Sequence, residues 1–415
     1  MKTPMENSQQ KINFSKRTVV YVTVPLLLFF GIGGWSLLTR HVDNPEIVAT
    51  EPTETQQAVP EPVVAVPEPA RVAHTPLPEE VRGIYWTVAT AGSKRGDELL
   101  QYMKTSGLNT AVIDLKLDNG ALGFEPINPE LKAYAAENPS VKDFPARLEQ
   151  LHEAGIYRIA RIAVMRDSVF TRLHPDQAMQ TANGTVWHDK TGAGWVDPAS
   201  PLVAEYALAL AQEAYDMGFD EIQFDYIRFA SDGALGAIRY SQYDGTQTKH
   251  EVMKTFFDKM ATLRETGIPL SFDVFGMTFW STSDFGIGQR LEDVFPDADF
   301  ISPMVYPSHY PNGFEGFSNP ALYPYEIVKR SLDKGAELLS TDHFIQEEDS
   351  RAKFRPWLQD FDIGAVYTAA RIKAEIQATR DADAAGWILW NARNVYEPVQ
   401  YGTKSASSSP EEASR

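Results

Sequence analysis

Between residues 81 and 400, short runs of β-branched and aromatic residues alternate with longer stretches whose apolar positions recur at helical spacing and end in glycine, the signature of βαβ units. The alternation predicts strands over Arg82–Thr87, Thr110–Leu117, Tyr157–Met165, Glu221–Phe229, Leu270–Phe275, Phe300–Tyr306, Phe354–Phe361 and Trp387–Trp390. Helices are predicted over Asp97–Thr105, Phe144–Ala154, Leu202–Met217, Glu251–Glu265, Tyr325–Leu339 and Ala369–Ala382, with a shorter one around Gln289–Val294. In the third of these, Leu202, Val203, Tyr206, Ala207, Leu210, Ala211, Ala214 and Tyr215 form one apolar stripe, and Gly218 ends it. Pro356 weakens the seventh strand. Eight strands separated by helices imply a (β/α)8 TIM barrel. An open doubly wound sheet is the alternative, but the first turn, Ala89 to Ser93, has no GxGxxG.

Outside this region the pattern changes. Val19–Leu38 is an uncharged apolar run long enough to cross a hydrocarbon core, and it follows Lys11, Lys16 and Arg17. It reads as an N-terminal transmembrane signal anchor that leaves the C-terminal bulk outside the cytoplasm. A cleaved signal peptide is disfavoured by the length of the run and by Thr39-Arg40-His41, which is not a small-residue cleavage site. Residues 41–80 hold eight prolines and no glycine, a composition that favours an extended linker. The expected organisation is therefore a cytoplasmic basic segment at 1–18, an anchor at 19–38, a Pro/Glu-rich disordered linker at 39–80, a barrel at 81–401 and a polar disordered tail at 402–415.

Composition narrows the function classes. The 415 residues are 43% hydrophobic, with no cysteine, which excludes disulfides, thiolate metal sites and a cysteine nucleophile. The net charge of −18 argues against nucleic acid as a partner. Residues 1–40 carry five Lys/Arg and one Glu, a balance of +4, so the remainder carries −18 − 4 = −22. The acidity of that remainder inclines the expected substrate toward a neutral or cationic polymer unless the site itself is basic. The histidines form no HExxH or HxxxH pair, and neither a GxSxG elbow nor a Walker or dinucleotide motif is present, so no metal or phosphate cofactor is expected.

The polar residues gather where the predicted strands end, which is where barrel enzymes place their chemistry. By period-two alternation Asp114 and Lys116 share a face of the second strand, Gln223 and Asp225 a face of the fourth, and Ser271 and Asp273 a face of the fifth. Arg161 lies within the third strand and Arg228 after the fourth. Tyr306 and His309 follow the sixth, Gln359, Asp360 and Asp362 the seventh, and Trp390, Asn391 and Arg393 the eighth. Two aspartates in adjacent apolar strands, Asp225 and Asp273, either pair with Arg161 or Arg228 as structural rim contacts or supply two carboxyl groups to a glycosidic bond. Trp187, Trp195, Trp280, Tyr306, Tyr310 and Trp390 are candidate sugar platforms, each equally able to be core. Loops 166–199, 230–248 and 307–324 are long, and within the first Asp197 suits a capping role better than a catalytic one. Lys116 could form a Schiff base, though an ion pair suits it better.

The motifs VRGIYWT, NTAVIDLK, GFDEIQFDYIRF, SFDVFG, ISPMVYPSHY and GWILWN resemble those of a bacterial family of glycoside-hydrolase-like proteins with an α-amylase-like barrel. The resemblance covers about residues 80–400 and implies a TIM barrel acting on carbohydrate. It further implies that Asp225, at the end of the fourth strand, is a nucleophilic or stabilising carboxylate. Asp273 stands where the α-amylase pattern has an acid Glu, and Asp360 matches a third acidic position only loosely. The expectation is a hydrolase at the bacterial inner membrane, single-pass, with its barrel periplasmic or extracellular. Asp225 and Asp273 would be catalytic. Asp114, Lys116, Arg161, Arg228, Tyr306, His309, Asp360 and Trp390 would bind a cell-envelope or extracellular polysaccharide. The alternative is a non-catalytic carbohydrate-binding or scaffold protein on the same barrel.

Overall fold

The computed structural model describes residues 72–402 apart from Phe344 and the side chains of residues 342–343. The expected anchor at Val19–Leu38, most of the linker and the tail beyond Gly402 lie outside the described residues. The chain divides into two units, residues 1–67 and 68–415, and every described residue belongs to the second. Among the described residues no helix is long and apolar enough to cross a membrane.

Eight parallel strands close into a barrel in sequence order: β1 Val81–Trp86, β2 Thr110–Asp114, β3 Tyr157–Ala163, β4 Glu221–Asp225, β5 Leu270–Phe275, β6 Phe300–Met304, β7 Trp357–Gln359 and β8 Gly386–Trp390. All eight fall where the sequence pattern predicts them. Several end earlier than expected, β2 at Asp114, β4 at Asp225 and β6 at Met304 among them. The helices connecting them include Lys94–Ser106, Phe144–Glu153, Pro201–Met217, Lys249–Glu265, Pro324–His343 and Ala369–Asp381. Their ends follow from local chemistry. Ser200 accepts a hydrogen bond from Val203 N, Pro201 occupies the first turn, and Gly218 closes the helix in the left-handed region at φ 116°. Thr248 and Glu251 form a reciprocal capping box at the start of Lys249–Glu265.

Two apolar clusters result. The larger lies between strands and helices. The smaller fills the barrel itself with Val81, Tyr85, Val112, Tyr157, Ile159, Tyr306, Trp357 and Ile388. The end of the barrel where the strands begin is closed by a buried ion pair: Arg355 donates from Nη1 to Glu221 Oε2 at 3.0 Å and from Nη2 to Oε1. Glu221 also accepts from Ser271 Oγ at 2.6 Å and Tyr157 OH at 3.2 Å.

At this same end the last part of the expected linker lies on the barrel. The Arg158 side chain holds Asp220 through Nε and Nη2 and donates to Ala73 O, while Thr75 N donates to Asp220 Oδ1. His74 stacks on Tyr215 with ring centroids 4.1 Å apart.

Candidate active site

The parallel register assembles the opposite end of the barrel. Asp114 on β2 pairs with Arg161 on β3, which pairs with Gln223 on β4, and Asp225 is opposite Ala163. Alternation turns Arg161, Asp225 and Asp273 inward, and a single guanidinium meets three carboxylates. Arg161 Nη1 donates to Asp114 Oδ1 at 2.5 Å, Nη2 donates to Asp225 Oδ2, and Nε lies 3.6 Å from Asp273 Oδ2. Asp225 Oδ1 accepts from Tyr226 N, and Tyr226 has a left-handed φ of 52°, a costly conformation for an aromatic residue that turns the chain sharply off the strand. Tyr85 OH donates to Asp114 Oδ2 at 2.5 Å and Trp357 Nε1 to Asp273 Oδ1 at 2.7 Å. The Arg161 guanidinium lies 5.0 Å from the Trp390 ring and 5.6 Å from the Tyr85 ring, and those two rings stack at 4.1 Å.

A cavity of about 170 Å³ opens above this cluster, lined by Arg161, Asp225, Tyr226, Arg228, Phe275, Met304, Tyr306, Trp357 and Trp390. A wider bowl of about 560 Å³ adjoins it and shares Tyr306 and Trp390; His309, Phe361, Asp362 and Arg393 are among its other walls. Asp225 lines the inner cavity, whereas Asp273 is 0% exposed and lies beneath the floor. Burial, reinforced by Asp225, pushes the Asp273 carboxyl well above the usual carboxylate range, and burial also raises Asp114. Asp273 Oδ2 has no hydrogen-bond partner. The arrangement sets a buried carboxyl with a raised pKa on β5 beside a carboxyl on β4 that accepts two hydrogen bonds, and pairs of carboxyl groups in unlike environments are what acid-base cleavage of an acetal uses.

The structure brings together Asp225, Asp273, Asp114, Arg161, Arg228, Tyr306, His309 and Trp390. Two expected binding residues lie elsewhere. β2 ends at Asp114, so alternation no longer governs Lys116, which is buried away from the cavity with Nζ 2.5 Å from Asp167 Oδ2 and over the Tyr206 ring. That ion pair also removes the Schiff-base reading. Asp360 follows the last residue of β7 and turns outward, where its Oδ2 accepts from Glu397 N and neighbouring tyrosines include Tyr102, Tyr396 and Tyr401. Burial pushes Asp360 up to about 7.

Of the candidate platforms, Tyr306 and Trp390 line the cavities. Trp187, Trp195 and Tyr310 are buried, and Trp280 donates to Ser331 Oγ. Asp197 is buried and holds Ala199 N, Gln242 N and Tyr243 N, the positioning role the sequence favours. The sequence reading missed Tyr85, Tyr226, Phe275 and Trp357. Alternation along VRGIYW, which turns Tyr85 the same way as Gly83, could have found the first of them. Among the described residues no group of three or more His, Asp or Glu is arranged to hold a metal.

Residues 83–396 match a family model described as "Putative glycosyl hydrolase domain". No curated protein matches. Among solved structures, a hypothetical protein from Ruminiclostridium thermocellum is 31% identical over 46% of this chain and 97% of its own, with a TM-score of 0.41. A chitobiase from Flavobacterium johnsoniae is 15% identical over 77% of this chain and 45% of its own, at a TM-score of 0.44. The glycoside hydrolase domain of PelA from Pseudomonas aeruginosa is 12% identical over 75% of this chain and 96% of its own, at 0.42.

Proposed function

The chain belongs to the family of glycosyl hydrolase domains whose model it matches over residues 83–396, and on that premise we propose that it cleaves a glycosidic bond in a cell-envelope or extracellular polysaccharide. Asp225 is the nucleophile or stabilising carboxylate and Asp273 the acid/base. The observation that carries this reading is the pair itself: Asp225 lines a cavity with aromatic walls, and Asp273, joined to it through Arg161, is pushed by burial well above the usual carboxylate range. Binding a sugar against Tyr306 and Trp390 would present its glycosidic oxygen to the floor, and a small rearrangement of that floor would uncover Asp273. The same aromatic residues shield the developing positive charge from bulk water, where the Asp225 carboxylate offsets it.

A second reading has an observation of its own. Asp273 is wholly covered and both aspartates contact Arg161, which also suits a catalytically inert carbohydrate-binding or scaffold protein. Digestion of a glycan panel separates the two readings. Wild type should release reducing sugar from at least one glycan, and Asp273→Asn should lower that rate by about 10²–10⁴-fold. Wild type that binds a glycan and releases nothing from any would leave the scaffold reading.

The proposed location is the bacterial inner membrane, spanned once by Val19–Leu38, with the barrel on the far side from the cytoplasm. The uncharged run and the Lys/Arg residues before it support this orientation. A reporter fused after Arg40 should be active only outside the cytoplasm, and a cytoplasmic signal would refute the topology.

A further inference from the structure

The inner cavity contains two guanidinium groups in different electrostatic circumstances. Arg161 is surrounded by carboxylates, with one near each of its three nitrogens. Arg228 is 8% exposed and makes no ion pair among the described residues. Its Nη1 donates to Phe229 O and Ser231 Oγ, both at 3.1 Å, and among the described residues neither Nε nor Nη2 has an acceptor. The group is held in place by aromatic faces, with its central carbon 4.7 Å from the Phe275 ring, 4.9 Å from Trp195 and 5.2 Å from Tyr226. Burying a cation is unfavourable, and burial lowers the Arg228 pKa, the more distant charges of Asp225 and Asp232 offsetting only part of the effect. A fixed, desolvated guanidinium with a free N–H edge on a cavity wall is the geometry that receives a carboxylate in a bidentate contact. The adjoining bowl repeats the theme at its rim. Arg393 lines that bowl, is exposed, and its side chain makes no ion pair or hydrogen bond among the described residues, while the neighbouring Asp362 is engaged by Tyr367 N at 2.6 Å.

We propose that the sugar unit bound beside Asp225 carries a carboxylate, received by the Nε–Nη2 edge of Arg228, so that the substrate is an acidic glycan. The proposal deepens the glycoside hydrolase reading and takes from it only that the ligand is a sugar. It reverses the inclination toward neutral or cationic polymers that the overall charge suggests, because the field that a ligand meets in a narrow cavity is set by the groups lining it. Two kinds of sugar carboxylate fit the chemistry, the ring carboxyl of a uronate and the ether-linked carboxyl of a muramate.

The test is binding, measured by calorimetry on the full chain carrying Asp225→Asn so that no probe is consumed. The probes are short oligouronates, a muramate-containing glycan, and the carboxyl-reduced counterpart of each, which differs only in lacking the charge. An acidic probe should bind about ten to a hundredfold more tightly than its reduced form. That ratio should shrink as salt is raised and collapse toward unity in Arg228→Gln, while Arg228→Lys retains part of it. Arg393→Gln, on the rim, should reduce the ratio by a smaller factor and serves as a second variant should Arg228→Gln fail to fold. Whichever acid binds identifies the carboxylate.

Equal or tighter binding of the reduced probes, no binding of any probe, or a ratio that survives Arg228→Gln each overturns the proposal. The last result would mean that Arg228 does not receive the carboxylate. Hydrolysis is scored separately on the wild type. Cleavage of neutral glycans only would sink the acidic-substrate proposal and leave the hydrolase, whereas Arg228-dependent binding without cleavage of any glycan would do the reverse.

Discussion

The two ends of the barrel interior each contain an arginine among acids, and they are balanced differently. Where the strands begin, Arg355 meets one carboxylate, Glu221, whose oxygens are further satisfied by Ser271 and Tyr157. Where they end, Arg161 meets three, one of which lies on the wall of a cavity. Burial first, and the neighbouring Asp225 next, push the carboxyl most enclosed, Asp273, well above the usual carboxylate range. The lower cluster matches one positive charge with one negative. Several carboxyl groups beside a cavity, and not charge burial as such, distinguish the end proposed for chemistry from the other.

Substitutions that move one end without the other sharpen this contrast. The largest effect is expected from Asp225→Asn, which should lower glycan hydrolysis by about 10⁴-fold while leaving the melting temperature nearly unchanged, since Asp114 and Asp273 still surround Arg161; a large drop in melting temperature would make the upper cluster structural too. Glu221→Gln at the lower end should act the other way and cost about 3–5 kcal/mol of stability in denaturant titration. Much of that loss should be recovered by adding Arg355→Met, and no recovery would mean that the pair is not a closed unit.

Protonation offers a third comparison. Asp360 titrates near 7 in the folded chain and near 4 when unfolded, so the native state binds the extra proton between those values. Stability contributed by this group is complete below about pH 4 and is lost as pH rises through about 7. Asp360→Asn should therefore raise the melting temperature above pH 7 and leave it unchanged below pH 4, with activity retained because the group faces away from the cavity. An alkaline loss of activity that disappears in Asp273→Asn residual turnover, and persists in Asp360→Asn, would assign the catalytic limb to Asp273. The smallest effect is expected from Tyr85→Phe, which removes the donor to Asp114 and should cost about 1 kcal/mol with a modest loss of activity. A loss as large as that of Asp225→Asn would show that Asp114 takes part in the chemistry.

The barrel was legible because parallel strands buried on both faces read as apolar runs, and these recur eight times. The floor of the cavity was legible for the same reason: Arg161, Asp225 and Asp273 interrupt such runs, and only a barrel interior makes their alternation meaningful. Lys116 and Asp360 were misplaced where strands end sooner than their apolar run suggests, since two-residue alternation lapses once ladder hydrogen bonds stop. Tyr85 and Trp357 were hidden by being aromatic, which inside a barrel is the ordinary filling, and their role lies in a single N–H or O–H aimed at a carboxylate. The free edge of Arg228 is a property of what surrounds it, and no spacing along the chain encodes that.

The clamp at the base of the barrel has a mechanical meaning. The chain reaches β1 only after passing Ala73 and Thr75, which Arg158 and Asp220 hold at the end opposite the cavity. A pull on the chain before this point would therefore meet the contacts of Ala73 and Thr75 with Arg158 and Asp220 before it reached the pairing of β1 with β2 and β8.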